Sequence, residues 1–198
     1  GAQTNAGSYT ATASSLSNAN YKLPDANTMA FIIAKATSSL TKAPTENSLT
    51  YTGSAQTLVT AGTASGGTLQ YSLDNQTYAD AIPTGINVGS YTIYYKVVGD
   101  ANHEDATGGQ VTATIAKADV AVKFSSATAT AKMGADFTAP AATTTPAGLP
   151  LSYASSDTNV AKVNASTGAV TLVAAGTTTI TATFAGDDNY NAASASYK

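Results

Sequence analysis

Gly89-Ser90-Tyr91-Thr92-Ile93-Tyr94-Tyr95-Lys96-Val97-Val98 is the stretch on which the fold turns. Tyr91, Ile93, Tyr95 and Val97 fall on one side of an extended chain, and Thr92, Tyr94, Lys96 and Val98 on the other. A period of two is that of a strand with one face in a core. To either side, residues 69–73, 110–115, 151–155, 161–164, 169–173 and 193–197 read as further strands, the last third repeating the alternation at Thr178, Ile180, Ala182 and Phe184. Turn residues separate them at Gly66-Gly67, Asp74-Asn75, Pro83 to Gly85 and Ser166 to Gly168. The 33 Thr and the lack of any 3.6-residue amphipathic period leave helix a poor description. An antiparallel β-sandwich per unit is expected.

The same stretch exposes a repeat. Asn87-Val88-Gly89-Ser90-Tyr91-Thr92 echoes Asn5-Ala6-Gly7-Ser8-Tyr9-Thr10, 82 positions earlier (87 − 5), and Ile115-Ala116-Lys117-Ala118 echoes Ile33-Ala34-Lys35-Ala36 in the same register. A weaker copy lies 87 positions on, where Gly99-Asp100-Ala101-Asn102-His103 becomes Gly186-Asp187-Asp188-Asn189-Tyr190. The Ile-Ala-Lys-Ala endings divide the chain into the C-terminal part of one unit at 1–36 and whole units at 37–118 and 119–198. The repeat is already part-way through immediately after Gly1, so Gly1 itself reads as an artificial addition. The joints lack Gly/Ser or Pro-rich spacers, and a row of such units is expected to behave as a semi-rigid rod.

Composition narrows the chemistry. Of 198 residues, 40 are Ala, and Leu, Ile, Val and Phe together number only 32, so core-forming side chains are scarce. A net charge of −3 nevertheless favours folding over disorder. There is no Cys, which excludes disulfides and thiolate chemistry, and a single His, which excludes a multi-histidine metal site within one molecule. The chain has no Arg, and its pI of about 4.8 opposes the nucleic-acid backbone, so nucleic acid is not an expected partner. No apolar run approaches the length of a spanning helix, and membrane insertion is not expected.

The residues also carry a resemblance. Leu49-Thr50-Tyr51-Thr52-Gly53, Gly66-Gly67, Tyr71-Ser72-Leu73-Asp74, Ile82-Pro83-Thr84-Gly85 and Gly89-Ser90-Tyr91-Thr92 resemble the Tyr/Gly-patterned bacterial repeats called MBG domains, and residues 1–36 resemble the second half of such a repeat. Tyr153-Ala154-Ser155-Ser156-Asp157, Val160 to Val163, Thr167-Gly168-Ala169-Val170-Thr171 and Gly176 to Ala182 are similar to the group 2 bacterial immunoglobulin-like domain. The resemblance implies an all-β chain of tandem immunoglobulin-like β-sandwich domains, located at a bacterial surface or outside the cell. It implies a non-catalytic spacer or stalk, the alternative being an adhesin module that recognises a glycan or host protein. Neither family carries a catalytic motif to transfer, and no enzyme is expected.

Three constellations compete with the bland reading. His103, with Asp100, Glu104 and Asp105 near it, has the composition of a hydrolytic site, but its repeat equivalents are Tyr21 and Tyr190, so a flat side chain after a turn accounts for it. Asp100, Glu104, Asp105, Asp187 and Asp188 are the calcium candidates, and calcium is the one cofactor the composition leaves open. Tyr71, Tyr78, Tyr91, Tyr94 and Tyr95 are dense enough for a binding patch, since a ring offers an apolar face with a polar rim, and Tyr94, on the face opposite Tyr91 and Tyr95, is the ligand-binding candidate. Lys35 and Lys117 end matching strands, where a solvated lysine guards an edge or joint. Residues 1–36 supply only closing strands, with Tyr9, Leu16, Tyr21, Phe31, Ile32 and Ile33 wanting burial. They are expected to pair with another copy of the chain or to pack on residues 37–118.

Overall fold

The computed structural model describes residues 2–198; Gly1 lies outside them. No helix occurs among the described residues, and Gly89–Gly99 pairs antiparallel with Gly67–Ser72, as Ile180–Phe184 does with its two neighbours. The chain divides into two compact units. The first comprises residues 2–49, 55–85 and 90–114, and the second residues 50–54, 86–89 and 115–198.

The main sheet of the first unit runs in the order Gly67–Ser72, Gly89–Gly99, Ala106–Ala116, Ser48–Thr50. The central strand follows the predicted alternation: Ile93 and Val97 are buried, while Tyr94, Lys96 and Val98 stand half-exposed on the other face. Leu69 lies opposite Val97 and Tyr71 opposite Tyr95 in the neighbouring strand. Short pairs make a second layer: Ser39–Lys42 with Thr63–Ser65, Thr45–Glu46 with Val59–Thr60, and Gln56–Thr57 with Thr84–Gly85. From that layer Leu58 and Val59 are fully buried. The apolar side chains are few, but they are concentrated inside.

Residues 7–33 form a hairpin of Gly7–Thr12 and Thr28–Ile33, with Gly7 opposite Ile33 and Thr12 opposite Thr28. The Tyr9 and Phe31 rings stack at 5.5 Å. Met29 and Ile32 remain about three-quarters exposed, at 74% and 75%.

The second unit pairs Ala121–Phe124 with Ala142–Thr145, and sets Ser152–Ser155, Ile180–Phe184 and Ala193–Tyr197 in a three-stranded sheet with Ile180–Phe184 at its centre. Ala161–Val163 and Val170–Leu172 form a separate hairpin. Val122 from the first pair and Ala182 and Phe184 from the three-stranded sheet form the buried centre, with Phe124, Leu149, Leu151 and Tyr153 packed against them. Two sheets closing on one apolar layer make a sandwich. Phe124 meets Tyr197 edge-on at 4.8 Å, and burial pushes the Tyr197 phenol up from its ordinary value.

Candidate functional site

The repeated Lys-Ala sequence has a repeated structural counterpart. Within the first unit the Ala36 N–H donates to the Asn102 carbonyl at 2.8 Å, the Lys35 ammonium donates to the Asp100 carbonyl at 3.5 Å, and the Ala6 N–H donates to Asn102 Oδ1 at 2.8 Å. Within the second unit the Ala118 N–H donates to the Asn189 carbonyl at 3.0 Å, the Lys117 ammonium to the Asp187 carbonyl, and the Val88 N–H to Asn189 Oδ1 at 3.3 Å. The donors are 82 positions apart (36 to 118) and the acceptors 87 (102 to 189), the offsets of the sequence repeat. Each contact is also a short parallel bridge, Ala36 beside His103 and Ala118 beside Tyr190. One asparagine therefore receives the Lys-Ala segment through its backbone oxygen and the segment leading into a strand through its side chain. That takes up backbone donors that would otherwise be left unpaired between strands.

His103 belongs to this arrangement. Its Nδ1 lies 2.7 Å from Asp100 Oδ1, and that hydrogen bond is the largest cause holding the Asp100 carboxyl below its ordinary value. Its ring covers Gly66, where an added Cβ would fall 2.6 Å from His103 Cδ2. Gly66 has φ +77°, which a glycine adopts without penalty. At the equivalent position Tyr190 meets Tyr51 edge-on at 5.3 Å.

The structure does not bring the acidic candidates together. Asp105 accepts the Gly99 N–H at 2.8 Å, and Asp187 accepts the Asn189 and Tyr190 N–H groups, each at 2.8 Å. Glu104 and Asp188 are exposed. No group of three His, Asp or Glu side chains able to hold a metal occurs among the described residues. The placed carboxylates are aimed at backbone donors in tight turns, which is the turn-forming use of Asp.

Tyr94 lies in a different setting. It lines a groove of about 490 Å³ with Tyr95, Lys96, Tyr78, Asn75 and the backbone of Gly108 and Gly109. The Lys96 ammonium sits 4.4 Å from the centre of the Tyr78 ring, a cation–π distance. Tyr78 is fixed in turn by its hydroxyl, 2.6 Å from Asn75 Oδ1. Sequence reading named Tyr94 and grouped Tyr78 with it, but missed Lys96 as their neighbour. A second groove of about 350 Å³ in the other unit is lined by Leu149, Leu151, Tyr153 and a threonine run, and holds no titratable group but Tyr153.

The turn that carries Tyr78 depends on Asp74. Its carboxylate accepts the Ser72 hydroxyl at 2.7 Å and the Gln76 and Thr77 N–H groups at 2.8 Å each, and these bonds, Ser72 first, lower its pKa to about 2. Because the folded value lies below the ordinary carboxylate value of about 4, the contribution to stability is complete above that value and is lost as pH falls toward 2. A carbon-detected NMR titration is expected to show Asp74 still ionised at pH 3. Asp74→Asn should flatten the chain's loss of stability between pH 4 and 2; an Asp74 midpoint near 4 would show that these bonds do not hold in solution.

Comparison with known proteins places the second unit. Residues 143–186 match the family model of the intimin immunoglobulin-like domain. That stretch begins in strand Ala142–Thr145 and ends just after strand Ile180–Phe184, so it contains most of the second sandwich. Its fold is immunoglobulin-like and of the bacterial type. No curated protein matches the chain. No helix among the described residues is long and apolar enough to cross a membrane.

Proposed function

We propose that this chain is a non-catalytic spacer segment of a bacterial surface or secreted protein, in which immunoglobulin-like domains follow one another in a row. The observation that carries this reading is the duplicated linker contact, in which Lys35-Ala36 on Asn102 and Lys117-Ala118 on Asn189 make the same set of hydrogen bonds. A contact built twice from repeat-equivalent residues is what a row of repeats needs if each is to close on its own first residues in the same way. The match to an intimin-type domain supports a stalk or adhesin setting. On this reading residues 37–118 are a domain of the MBG type, residues 1–36 the later part of another, and residues 119–198 a group 2 type domain. Their main partners are neighbouring domains of the same chain.

A second reading is favoured by one feature, the Tyr94 groove. Its fixed rings and Lys96 beside Tyr78 offer stacking and hydrogen-bonding edges of the kind that hold a sugar or an extracellular protein loop. The experiment that separates the two is binding of the full chain to an array of glycans and extracellular-matrix proteins, in calcium and in chelator. A blank array in both buffers, with the protein folded, is the expected result. A saturable signal lowered at least about tenfold by Tyr94→Ala would replace the spacer reading with the adhesin one.

A further inference from the structure

The N-terminal hairpin can be compared, residue for residue, with the later strands it duplicates. Strand Gly7–Thr12 is six residues long, while its equivalent Gly89–Gly99 is eleven. The repeat maps residues 13–17 onto residues 95–99 (an offset of 82), yet only the later copy is strand there. In that copy the segment is flanked by Gly67–Ser72, with Gly67 opposite Gly99, Leu69 opposite Val97 and Tyr71 opposite Tyr95. The hairpin has no strand in the corresponding place.

Its inner face tells the same story. Tyr9, Ala11, Met29, Phe31 and Ile33 correspond to Tyr91, Ile93, Val111, Ala113 and Ile115, of which Ile93, Ala113 and Ile115 are fully buried. Ala11 with Phe31 replaces Ile93 with Ala113, a small and a large side chain exchanged within the face, which keeps its volume close to that of a covered core. Phe31 and Met29 are nevertheless 40% and 74% exposed. The turn at residues 17–21 is likewise already shaped. The Asn20 N–H donates to Asn18 Oδ1 at 3.0 Å, as Asn102 does to Asp100 and Asn189 to Asp187, each at 2.8 Å. Those two later turns carry a Lys-Ala segment, whereas Tyr21 stands 72% exposed.

Both missing contacts come from one continuous piece of chain. In the first unit, residues 35–86 begin with the Lys-Ala pair that sits on the turn and go on to supply Leu58, Val59 and the strand Gly67–Ser72. We infer that residues 5–36 are the receiving half of a repeat and bind, by strand addition, a segment of the kind formed by residues 35–86. Its Lys-Ala start seats on the turn at 17–21, and its Gly67–Ser72 strand pairs along residues 13–17. The occupant is a free segment of this kind rather than an intact second copy, because in an intact copy that strand is already paired with Gly89–Gly99. Pro24 and Ala26 stand where strand Ala106–Ala116 has Ala106 and Gly108, so growth of the hairpin is expected at residues 13–17 and not at residues 24–27. The inference goes beyond the proposed function, and it holds for a spacer and an adhesin alike.

The test is hydrogen exchange, read by mass spectrometry, on the full chain in three forms: alone, with a synthetic peptide of residues 35–86 added, and with a second copy of residues 35–86 joined directly to Asn5. Covalent joining raises the effective concentration to the millimolar range. Exchange at residues 13–17 and 28–33 is expected to slow by at least about tenfold in the joined form, and the gain to vanish when the added copy carries Leu69→Asp. Exchange unchanged in both the peptide and joined forms would overturn the inference. So would protection that survives Leu69→Asp in the added copy, or protection of the unmodified chain that rises with its own concentration, which would make self-association the cover.

Discussion

Phe184→Ala is expected to destabilise the second unit by about 3–5 kcal/mol. The Phe184 side chain is 2% exposed and sits in the middle strand of the three-stranded sheet, facing Val122 across the sandwich. Around it Ala142, Ala182, Ala193 and Ala195 are mixed with larger side chains, among them Val122, Phe124, Leu151 and Tyr153. Phe184 is the largest of the fully buried side chains, and a hole left at the centre of a packed cluster is refilled only in part. Net stability for a domain of this size is about 5–10 kcal/mol, so the loss is a large fraction of the whole. Urea unfolding followed by hydrogen exchange should show residues 152–155, 180–184 and 193–197 losing protection, with residues 67–72 and 89–99 unaffected. Leu73→Ala, at a side chain 48% exposed, is the control and should change stability by no more than about 0.5 kcal/mol. A Phe184→Ala loss under about 1 kcal/mol would mean that the second sandwich is held by something other than this cluster.

Gly108→Ala is expected to cost the first unit roughly 3 kcal/mol despite adding a single methyl group. A Cβ at Gly108 would overlap the Tyr95 carbonyl oxygen, and the obstacle is backbone in the central strand, which cannot rotate away. Strand Ala106–Ala116 would have to shift from Gly89–Gly99, which carries Ile93 and Val97 into the core. The same shift would disturb the Tyr94 groove, because Gly108 forms part of its lining. Thermal unfolding together with amide shifts of residues 93–97 would check this. Wild-type stability with unchanged shifts would show that the two strands do not approach as closely as the geometry requires. The neighbouring Gly109 is a milder case, since its added Cβ would meet the Tyr95 hydroxyl, the end of a movable side chain, at 2.7 Å.

The long strands were legible because they are local. Alternation at 90–98 and at 193–197 is written in consecutive residues, and the structure has strands Gly89–Gly99 and Ala193–Tyr197 there. The short second layer was not legible. Ser39–Lys42, Thr45–Glu46 and Thr63–Ser65 are two to four residues long and made mostly of Thr, Ser and Ala, so their pairing is imposed by partners far along the chain. Ala142–Thr145 was missed for the same reason, since three consecutive threonines show no apolar period. At the candidate sites, sequence placed Asp100, Glu104 and Asp105 side by side. It grouped them around His103, but gave no sign that Asp100 alone of the three would bond the imidazole while Asp105 turned to the Gly99 N–H. Tyr78 and Lys96 are remote in sequence, and they meet because the Asp74 turn returns the chain beside the central strand.

The matching Ile-Ala-Lys-Ala segments are legible in the sequence alone. What these segments hold on to was decided by tertiary structure, because Ala36 and Asn102 become neighbours only after the intervening chain has folded. Strand length divides in the same way. Residues 7–17 and 89–99 are copies of one pattern, yet the first is strand for six residues and the second for eleven. A sequence can specify which side chains alternate, but extended backbone carries unpaired N–H and C=O groups that water competes for, and a strand persists only as far as a neighbour is there to take them.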